Sequence, residues 1–247
     1  MLKQNGYEFV EETKYPNISQ SEQRQGKPQP PYEIPMEEGK RLIDLPNPDE
    51  IDLGNYNLRK AIEVRRSLRR YKDEPISLEE LSYLLWLTQG VKKMDEKRNV
   101  LWRTVPSAGC RHPFETYLST NRVDGLEQGL YRFVATENKL VALELNEQFN
   151  ERLTDACHGQ RQVQTSAVTF IWAAVPYRTV WRYSERSYRY LYLDAGHVCQ
   201  NLHLAAESIN CGICAIGAYD DDAADRLMGF NPPEMFVIYL ASLGRRE

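Results

Sequence analysis

Residues 188–220 constrain the fold more than any other stretch, because a long helical pattern there stops sharply and a strand pattern follows. Apolar side chains recur at steps of three and four, so they lie on one face of a helix. They are Leu191, Ala195, Val198, Leu202, Ala205 and Ile209. Asn210 and Gly212 are suitable stop signals, and the apolar run 213–216 then leads to Gly217. A buried helix feeding a strand that ends at glycine can place backbone donors beside a flat ligand. The same spacing also fits a core helix and its loop.

The composition is that of an ordinary globular protein. The 247 residues are 42% hydrophobic and 27% charged, which suffices for a substantial core. The net charge of −4 argues against a general nucleic-acid binder, which carries a basic excess. The longest apolar runs, 167–175 and 235–241, are too short to span a bilayer, and no signal-type segment opens the sequence. We therefore expect a cytoplasmic protein without membrane or nucleic-acid partners, with its five cysteines reduced.

Residues 1–55 differ from the rest of the chain. Seven prolines punctuate this polar segment, which predicts an extended arm with little regular structure. The arm is either loose or wrapped over a neighbouring subunit. Wrapping is favoured by its scattered apolar side chains, which are Tyr32, Ile34, Met36, Leu42, Ile43 and Leu45.

The remaining patterns predict helices and strands that interleave irregularly. Helices are expected over residues 57–66, 77–88 and 149–156, the second of them starting at a capping box formed by Ser77 and Glu80. Strands are expected over residues 114–119, 129–136, 139–145, 167–175 and 235–242. Residues 92–98 read as a charged loop and residues 220–222 as an acidic turn. This arrangement indicates an α+β fold with a central mixed or antiparallel sheet flanked by helices.

A dense group of donors follows the first predicted helix. It consists of Arg65, Arg66, Ser67, Arg69 and Arg70. Guanidinium groups match phosphate oxygens two at a time, and a serine hydroxyl adds a further donor. The group suits a phosphate monoester at the end of a small cofactor, or else a solvated basic helix end.

Two other segments offer donors to a ligand. Pro106, Ser107, Ala108 and Gly109 form a turn of small residues that can lie against a ring edge, although an ordinary loop has the same composition. The chain also closes its last predicted strand with a second arginine pair, Arg245 and Arg246.

Several catalytic signatures are missing from the sequence. It has no P-loop, no HExxH, no GxSxG and no GxGxxG, which argues against ordinary nucleotide hydrolases, zinc proteases, serine esterases and Rossmann dehydrogenases. A single CxxC pair, Cys211 and Cys214, follows the buried helix rather than opening an exposed one, so we discount a redox or zinc role. His197 and His203 lie on different helix faces. No metal site is predicted.

The motifs taken together resemble the nitroreductase superfamily, and within it the SagB-type branch related to dehydrogenases that oxidise thiazolines and oxazolines in modified peptides. The resemblance rests on Arg-Arg-Ser-x-Arg after a helix, Pro-Ser-Ala-Gly-x-Arg-His-Pro before a strand, and Asp-Ala-Gly-His-Val-Cys-Gln-Asn-Leu followed by Ala-Ile-Gly. It implies a nitroreductase-like α+β fold over residues 56–247, an intertwined homodimer, and FMN bound at each subunit interface.

The resemblance also implies roles for individual residues. The phosphate and ribityl end of FMN would be held by Arg65, Arg66, Ser67 and Arg69, joined by Arg245 or Arg246. The turn formed by Pro106, Ser107, Ala108 and Gly109 would come from the other subunit, and the backbone amides of Ile216 and Gly217 would lie beside the flavin ring.

One position departs from the peptide-oxidising members, which carry a Lys-Tyr pair for proton abstraction. Here Arg182 stands in the lysine place and Tyr183 is retained. Arginine stays protonated and is a poor general base, so Tyr183 becomes the candidate catalytic residue, with a packing aromatic as the alternative.

The function expected from these features is an FMN-dependent oxidoreductase acting on a small molecule or peptide, with NADH or NADPH as candidate electron donor. The alternatives are a non-catalytic flavin-binding module and a scaffold partner in a peptide-modification complex.

Overall fold

The computed structural model describes residues 4–53 and 55–247. Its helices are α1 (Gln4–Glu12), α2 (Leu58–Val64), α3 (Leu78–Gln89), α4 (Phe149–Ala156), α5 (Arg161–Gln164), α6 (Tyr177–Tyr183), α7 (Ser187–Ser208) and α8 (Asp221–Met228). Its strands are β1 (Leu42–Asp44), β2 (Val91–Asp95), β3 (Val100–Arg103), β4 (Phe114–Thr120), β5 (Gly129–Val134), β6 (Lys139–Glu144), β7 (Val168–Ala174), β8 (Cys211–Ile216) and β9 (Phe236–Arg245). No described helix is long and apolar enough to cross a membrane.

Seven strands form one central sheet in the order β1-β6-β5-β4-β7-β9-β8. Every neighbouring pair of these strands is antiparallel. The middle strands β4 and β7 are buried along their whole length, because helices and loops cover both faces of the sheet. The expected α+β fold with an antiparallel sheet flanked by helices is confirmed.

Helix α7 is the main packing element on one face of the sheet. All six residues of the predicted apolar stripe are buried, and Leu191 and Leu202 are 0% exposed. The helix packs against α3 and β8. Helix α3 begins at the expected capping box, in which Ser77 and Glu80 each accept a hydrogen bond from the other's backbone amide. These predictions succeed because periodicity and capping are local properties of the sequence.

Two predicted loops are regular structure instead. Residues 92–98 belong largely to an exposed antiparallel hairpin of β2 and β3, whose charged side chains hide the alternation that normally reveals a strand. The acidic turn at residues 220–222 opens helix α8, where the Asp220 carboxylate accepts a hydrogen bond from the Ala223 amide at 2.9 Å. Acidic side chains are favourable at a helix start.

The N-terminal segment packs on its own chain. Helix α1 and strand β1 lie where the sequence indicated little regular structure, and β1 extends the central sheet by pairing with β6. Residues 1–3 and 54 of the predicted arm lie outside the described residues. Strand pairing at a sheet edge and a helix stabilised by tertiary contacts are not visible in proline-rich composition.

Buried charges fasten the arm to the sheet. The carboxylate of Glu115, 1% exposed, accepts hydrogen bonds from the Ile34 amide at 2.8 Å and from the Arg178 guanidinium. Arg132, 0% exposed, lies 3.6 Å from Glu115 and donates to Glu37 at 2.9 Å. Since a buried ion that loses its partner is costly, this cluster makes arm docking and core integrity interdependent.

We expect Glu115→Ala to lower the free energy of unfolding by about 3–5 kcal/mol, because it leaves two buried guanidinium groups without their shared carboxylate. The variant should also expose the arm to limited proteolysis. Urea unfolding and trypsin digestion measure the two effects. The matched control is Glu127→Ala, which removes an exposed partner of Arg41 and should cost less than about 1 kcal/mol. Equal losses in the two variants would contradict a structural role for the cluster.

Candidate functional site

The arginine-rich segment after α2 is held against the outer edge of β8. Ser67 forms a parallel bridge with Ile213, and the Leu68 amide donates a hydrogen bond to the Ile213 carbonyl at 2.8 Å. The Leu68 side chain lies directly over Gly212, where an added β-carbon would be 2.1 Å from Leu68 Cδ1. Glycine is therefore required in β8 for the segment to approach this closely.

Tyr71 fixes the far end of the same segment. Its hydroxyl bonds with the Leu68 carbonyl at 2.8 Å and with the Ser242 hydroxyl at 2.9 Å. Burial raises the pKa of this phenol, so the hydroxyl remains a neutral donor. The backbone between Leu68 and Tyr71 is thus anchored at both ends to β8 and β9.

The anchored segment presents a group of free cations. A cavity of about 380 Å³ is lined by Arg66, Leu68, Arg69, Arg70, Arg246 and Glu247. The guanidinium groups of Arg65, Arg66, Arg69 and Arg70 form no hydrogen bond or ion pair with any described residue. Four unneutralised like charges at one sheet edge repel one another, and a bound anion would relieve that repulsion. The arrangement is suited to a phosphate group.

Arg65 also affects the pKa of a buried histidine on α7. Burial, with a further contribution from Arg65, lowers the pKa of His203 to about 4. His203 is 8% exposed on α7 and is therefore neutral at physiological pH. It is a neighbour of the cationic cluster rather than a member of it.

The two C-terminal arginines differ in their surroundings. Arg245 donates to both oxygens of Glu80 at 2.7 and 2.6 Å, so its charge is neutralised inside the chain. Arg246 donates to the Cys211 carbonyl at 2.9 Å and to the Glu207 carboxylate, and its side chain also lines the cavity. Of the pair, Arg246 is the residue that the fold brings to the arginine cluster.

Backbone amides at the end of β8 are a second set of donors. Because Ile213 turns its carbonyl outward to Leu68, alternation along the strand turns Ala215 outward as well, and Gly217 follows directly after the strand. Ile216 pairs with Leu240, and the same alternation directs its amide into the ladder with β9. Gly217 is exposed, with only Tyr239 close to an added β-carbon, at 3.9 Å. The amide of Ala215, and that of the exposed Gly217 directly after the strand, are therefore the donors available at this edge.

The turn of small residues is held by a buried carboxylate that sequence reasoning did not single out. Asp194 on α7 accepts hydrogen bonds from the Ser107 hydroxyl at 2.6 Å and from the Ala108 amide at 3.2 Å. The Ser107 hydroxyl in turn accepts from the His112 amide at 2.9 Å. Burial raises the pKa of Asp194, partly offset by these two donors. The sequence feature that could have indicated a role for Asp194 is its position at the start of the Asp-Ala-Gly-His motif.

The same turn supports the candidate catalytic tyrosine. Gly109 has φ +57°, and an added β-carbon there would lie 2.5 Å from the Tyr183 hydroxyl and 2.7 Å from Arg182 Nε. The Tyr183 ring makes an edge contact with Tyr190, with centroids 4.8 Å apart. Glycine is thus needed at position 109 both for its backbone conformation and for the approach of this pair.

The chain therefore carries two separate groups of candidate residues. One comprises the arginine cluster, Ser67, Arg246 and the outer edge of β8. The other comprises the 106–109 turn, Arg182, Tyr183 and Asp194. Among the described residues, no hydrogen bond, ion pair or ring contact joins them within one chain.

The CxxC pair lies outside both groups. Cys211 and Cys214 are buried in β8 and form no disulfide. Burial raises the pKa of Cys211 to about 12, so its thiol is a weak nucleophile. Within the described part of the chain, no three metal-ligating side chains cluster.

Known proteins are similar to this chain in sequence and in fold. The Nitroreductase family pattern matches residues 62–245. The nitroreductase candidate MJ1384 of Methanocaldococcus jannaschii is 32% identical over 204 residues, covering 83% of this chain and 96% of that protein. The trifolitoxin-processing protein TfxB of Rhizobium leguminosarum bv. trifolii is 27% identical over 136 residues, covering 53% of this chain and 36% of TfxB.

Solved structures agree with the sequence comparison. A nitroreductase candidate from Anabaena variabilis superimposes with a TM-score of 0.68 at 27% identity, covering 84% of this chain, which spans 42% of the Anabaena chain. The NADPH:FMN oxidoreductase of Vibrio harveyi, solved with NAD+, has a TM-score of 0.55 at 17% identity and covers 78% of this chain and 70% of that one. Because the family pattern spans most of the chain and the sheet and motif order agree with it, the protein belongs to the nitroreductase family.

Proposed function

We propose that this protein is an FMN-dependent oxidoreductase related to the SagB-type dehydrogenases, which moves a hydride or electrons through bound FMN to or from a small molecule or peptide. One observation carries the proposal. Four guanidinium groups without a partner in the described chain are anchored to the edge of β8 beside Arg246 and the amides of Ala215 and Gly217. This combination of a phosphate site with amide donors is what a flavin mononucleotide requires.

The residues present fit FMN. Arg65, Arg66 and Arg69 would bind the phosphate through charge-assisted hydrogen bonds, and the exposed Ser67 hydroxyl would donate to the phosphate or ribityl chain. FMN, when bound, supplies the two-electron redox chemistry. The amides of Ala215 and Gly217 would stabilise negative charge at the ring. The similarity in fold to an NADPH:FMN oxidoreductase of Vibrio harveyi supports FMN as the cofactor.

Tyr183 is the candidate for proton transfer. Its hydroxyl is held over Gly109 and can donate or accept the proton that accompanies hydride transfer. Arg182 beside it remains protonated and cannot act as the base that a lysine would provide. Similarity to a trifolitoxin-processing protein favours a peptide substrate, whereas Arg182 favours chemistry other than azoline oxidation.

A homodimer would complete the site. The arginine cluster makes no contact within one chain with the group that comprises the 106–109 turn and Tyr183, and in an intertwined dimer this second group would come from the partner subunit. The carboxylate of Asp194 would hold Ser107 and Ala108 in position for that role. Tyr183 would then act on a substrate bound over FMN that is held by the other copy.

Purified protein is expected to be yellow and to release FMN on denaturation. Arg66→Gln/Arg69→Gln should weaken FMN binding at least tenfold, because each lost charge-assisted hydrogen bond costs about 1.5–3 kcal/mol. Titration of apoprotein with FMN by fluorescence quenching measures this change. The matched control, Arg98→Gln/Arg226→Gln, removes two exposed arginines of the β2–β3 turn and α8 and should bind FMN normally. Colourless wild-type protein that takes up no added FMN would contradict the proposal.

Mixed dimers test the shared site and the role of Tyr183. We expect Tyr183→Phe to retain FMN but lose most of its reoxidation by substrate in stopped-flow measurements after reduction with NADH, NADPH or dithionite. Dimers that combine a Tyr183→Phe chain with an Arg66→Gln/Arg69→Gln chain should regain activity, because one of their two sites then carries neither change.

The parental homodimers are the controls for this experiment. An absence of recovery in the mixed dimers would place both groups of one site in a single chain. Wild-type protein that binds FMN but is not reoxidised by nitroaromatics, quinones or azoline peptides would identify a flavin-binding module instead.

A further inference from the structure

The N-terminal arm forms one wall of a cavity that opens onto Tyr183. The cavity has a volume of about 600 Å³, which is within the range of small-molecule sites. Its lining consists of Tyr15, Ile18, Ser19, Gln20, Ser21, Gln23, Arg24, Arg182, Tyr183 and Ser184. We infer that this cavity is the substrate pocket, and that it selects substrates carrying a carboxylate; the inference rests on the proposed oxidoreductase function.

The charge of the lining determines the class of ligand. Its charged side chains are Arg24, from the arm, and Arg182, from α6, and no acidic residue lines the cavity. Neither guanidinium forms a hydrogen bond or ion pair with a described residue. Two free guanidinium groups in an otherwise neutral, hydroxyl- and amide-lined cavity match the planar oxygens of a carboxylate.

Two carboxylates that adjoin the lining residues in sequence are engaged by other groups. Glu22 accepts hydrogen bonds from Lys27 at 2.8 Å and from the Tyr177 hydroxyl at 2.6 Å. Glu185 accepts from the Ser19 amide at 2.8 Å and from the Ser19 hydroxyl. Glu22 is thus paired with Lys27, and the oxygens of Glu185 are occupied by Ser19, so neither acid forms an ion pair with Arg24 or Arg182.

Specific hydrogen bonds build the arm wall. The Gln23 amide donates to the Trp181 carbonyl at 2.8 Å, and the Trp181 indole donates back to the Lys27 carbonyl at 3.0 Å. With the contact of Ser19 to Glu185, these bonds hold residues 19–27 across the end of α6. Arg24 is thereby carried to the same cavity as Arg182.

One lining residue of the cavity, Ser184, has a strained backbone conformation. Ser184, which follows Tyr183 directly, has φ 48° and ψ −136°, a conformation that is unfavourable for a residue other than glycine. It is also buried, at 8% exposure. This conformation ends α6 abruptly and leaves both Arg182 and Tyr183 on the cavity wall, so a carboxylate held by Arg182 would lie next to the proton-transferring hydroxyl.

Matched acid and amide probes test the inference on the full-length protein loaded with FMN. We expect 4-nitrobenzoate to reoxidise the reduced protein with a KM at least about tenfold lower than 4-nitrobenzamide, as one charge-assisted hydrogen bond would give. Arg24→Gln and Arg182→Gln should each raise the KM for the acid about tenfold more than they raise that for the amide. Arg226→Gln, on α8, should change neither.

Calorimetric binding of benzoate separates this inference from the proposed function. Benzoate affinity that falls about tenfold in Arg24→Gln and Arg182→Gln supports the carboxylate site, even if the protein shows no flavin turnover and the proposed function fails. Flavin turnover with equal KM values for the acid and the amide, or benzoate affinity that neither substitution changes, would overturn the carboxylate site and leave the oxidoreductase function intact.

Discussion

The pairing of the arginine-rich segment with β8, through the Leu68 amide and the Ile213 carbonyl, is the interaction on which the candidate cofactor site depends. It fastens the segment after α2 to the outer edge of β8, and β8 pairs along its length with β9, whose far end carries Arg245 and Arg246. Residues separated by about 180 positions are thereby brought to one sheet edge. The cost of concentrating positive charge there is lessened because Arg245 is paired with Glu80 and Arg246 with Glu207. The other arginines of the cluster are left for an anion.

A second constraint acts on the group of candidate residues that contains Tyr183. The shared carboxylate of Glu115 ties the arm at Ile34 to Arg132 and Arg178, and Arg178 lies on the same short helix as Arg182 and Tyr183. Docking of the arm and placement of the candidate catalytic helix therefore depend on one buried cluster. Such clusters contribute little net stability relative to apolar packing, but they penalise alternative arrangements heavily. The cluster accounts for a proline-rich segment being held in one conformation on the protein surface.

The sequence was sufficient for features that depend on local patterns. The apolar stripe of α7, the capping box of α3 and the buried strands β7 and β9 were all anticipated, because periodicity and capping need no knowledge of distant residues. Helix α8 and the β2–β3 hairpin were missed, because acidic and basic side chains on exposed elements also suit loops. The distinction between Arg245 and Arg246 depends on Glu80 and Glu207, which are distant in sequence. Similarly, only the strand register shows that the Ile216 amide points toward β9 and the Ala215 amide points away from it.

The division of the candidate residues into two groups has a consequence for how activity would depend on assembly. The arginine cluster can attract an anion in a single chain, since its charges are free and its anchors are intramolecular. Tyr183 and the 106–109 turn are equally well fixed in a single chain by Gly109 and Asp194. In the proposed dimer, subunit association would align two groups whose described contacts all lie within one chain. Alignment of positioned groups can supply a large part of a catalytic rate enhancement, so activity of the proposed enzyme would depend on dimer formation.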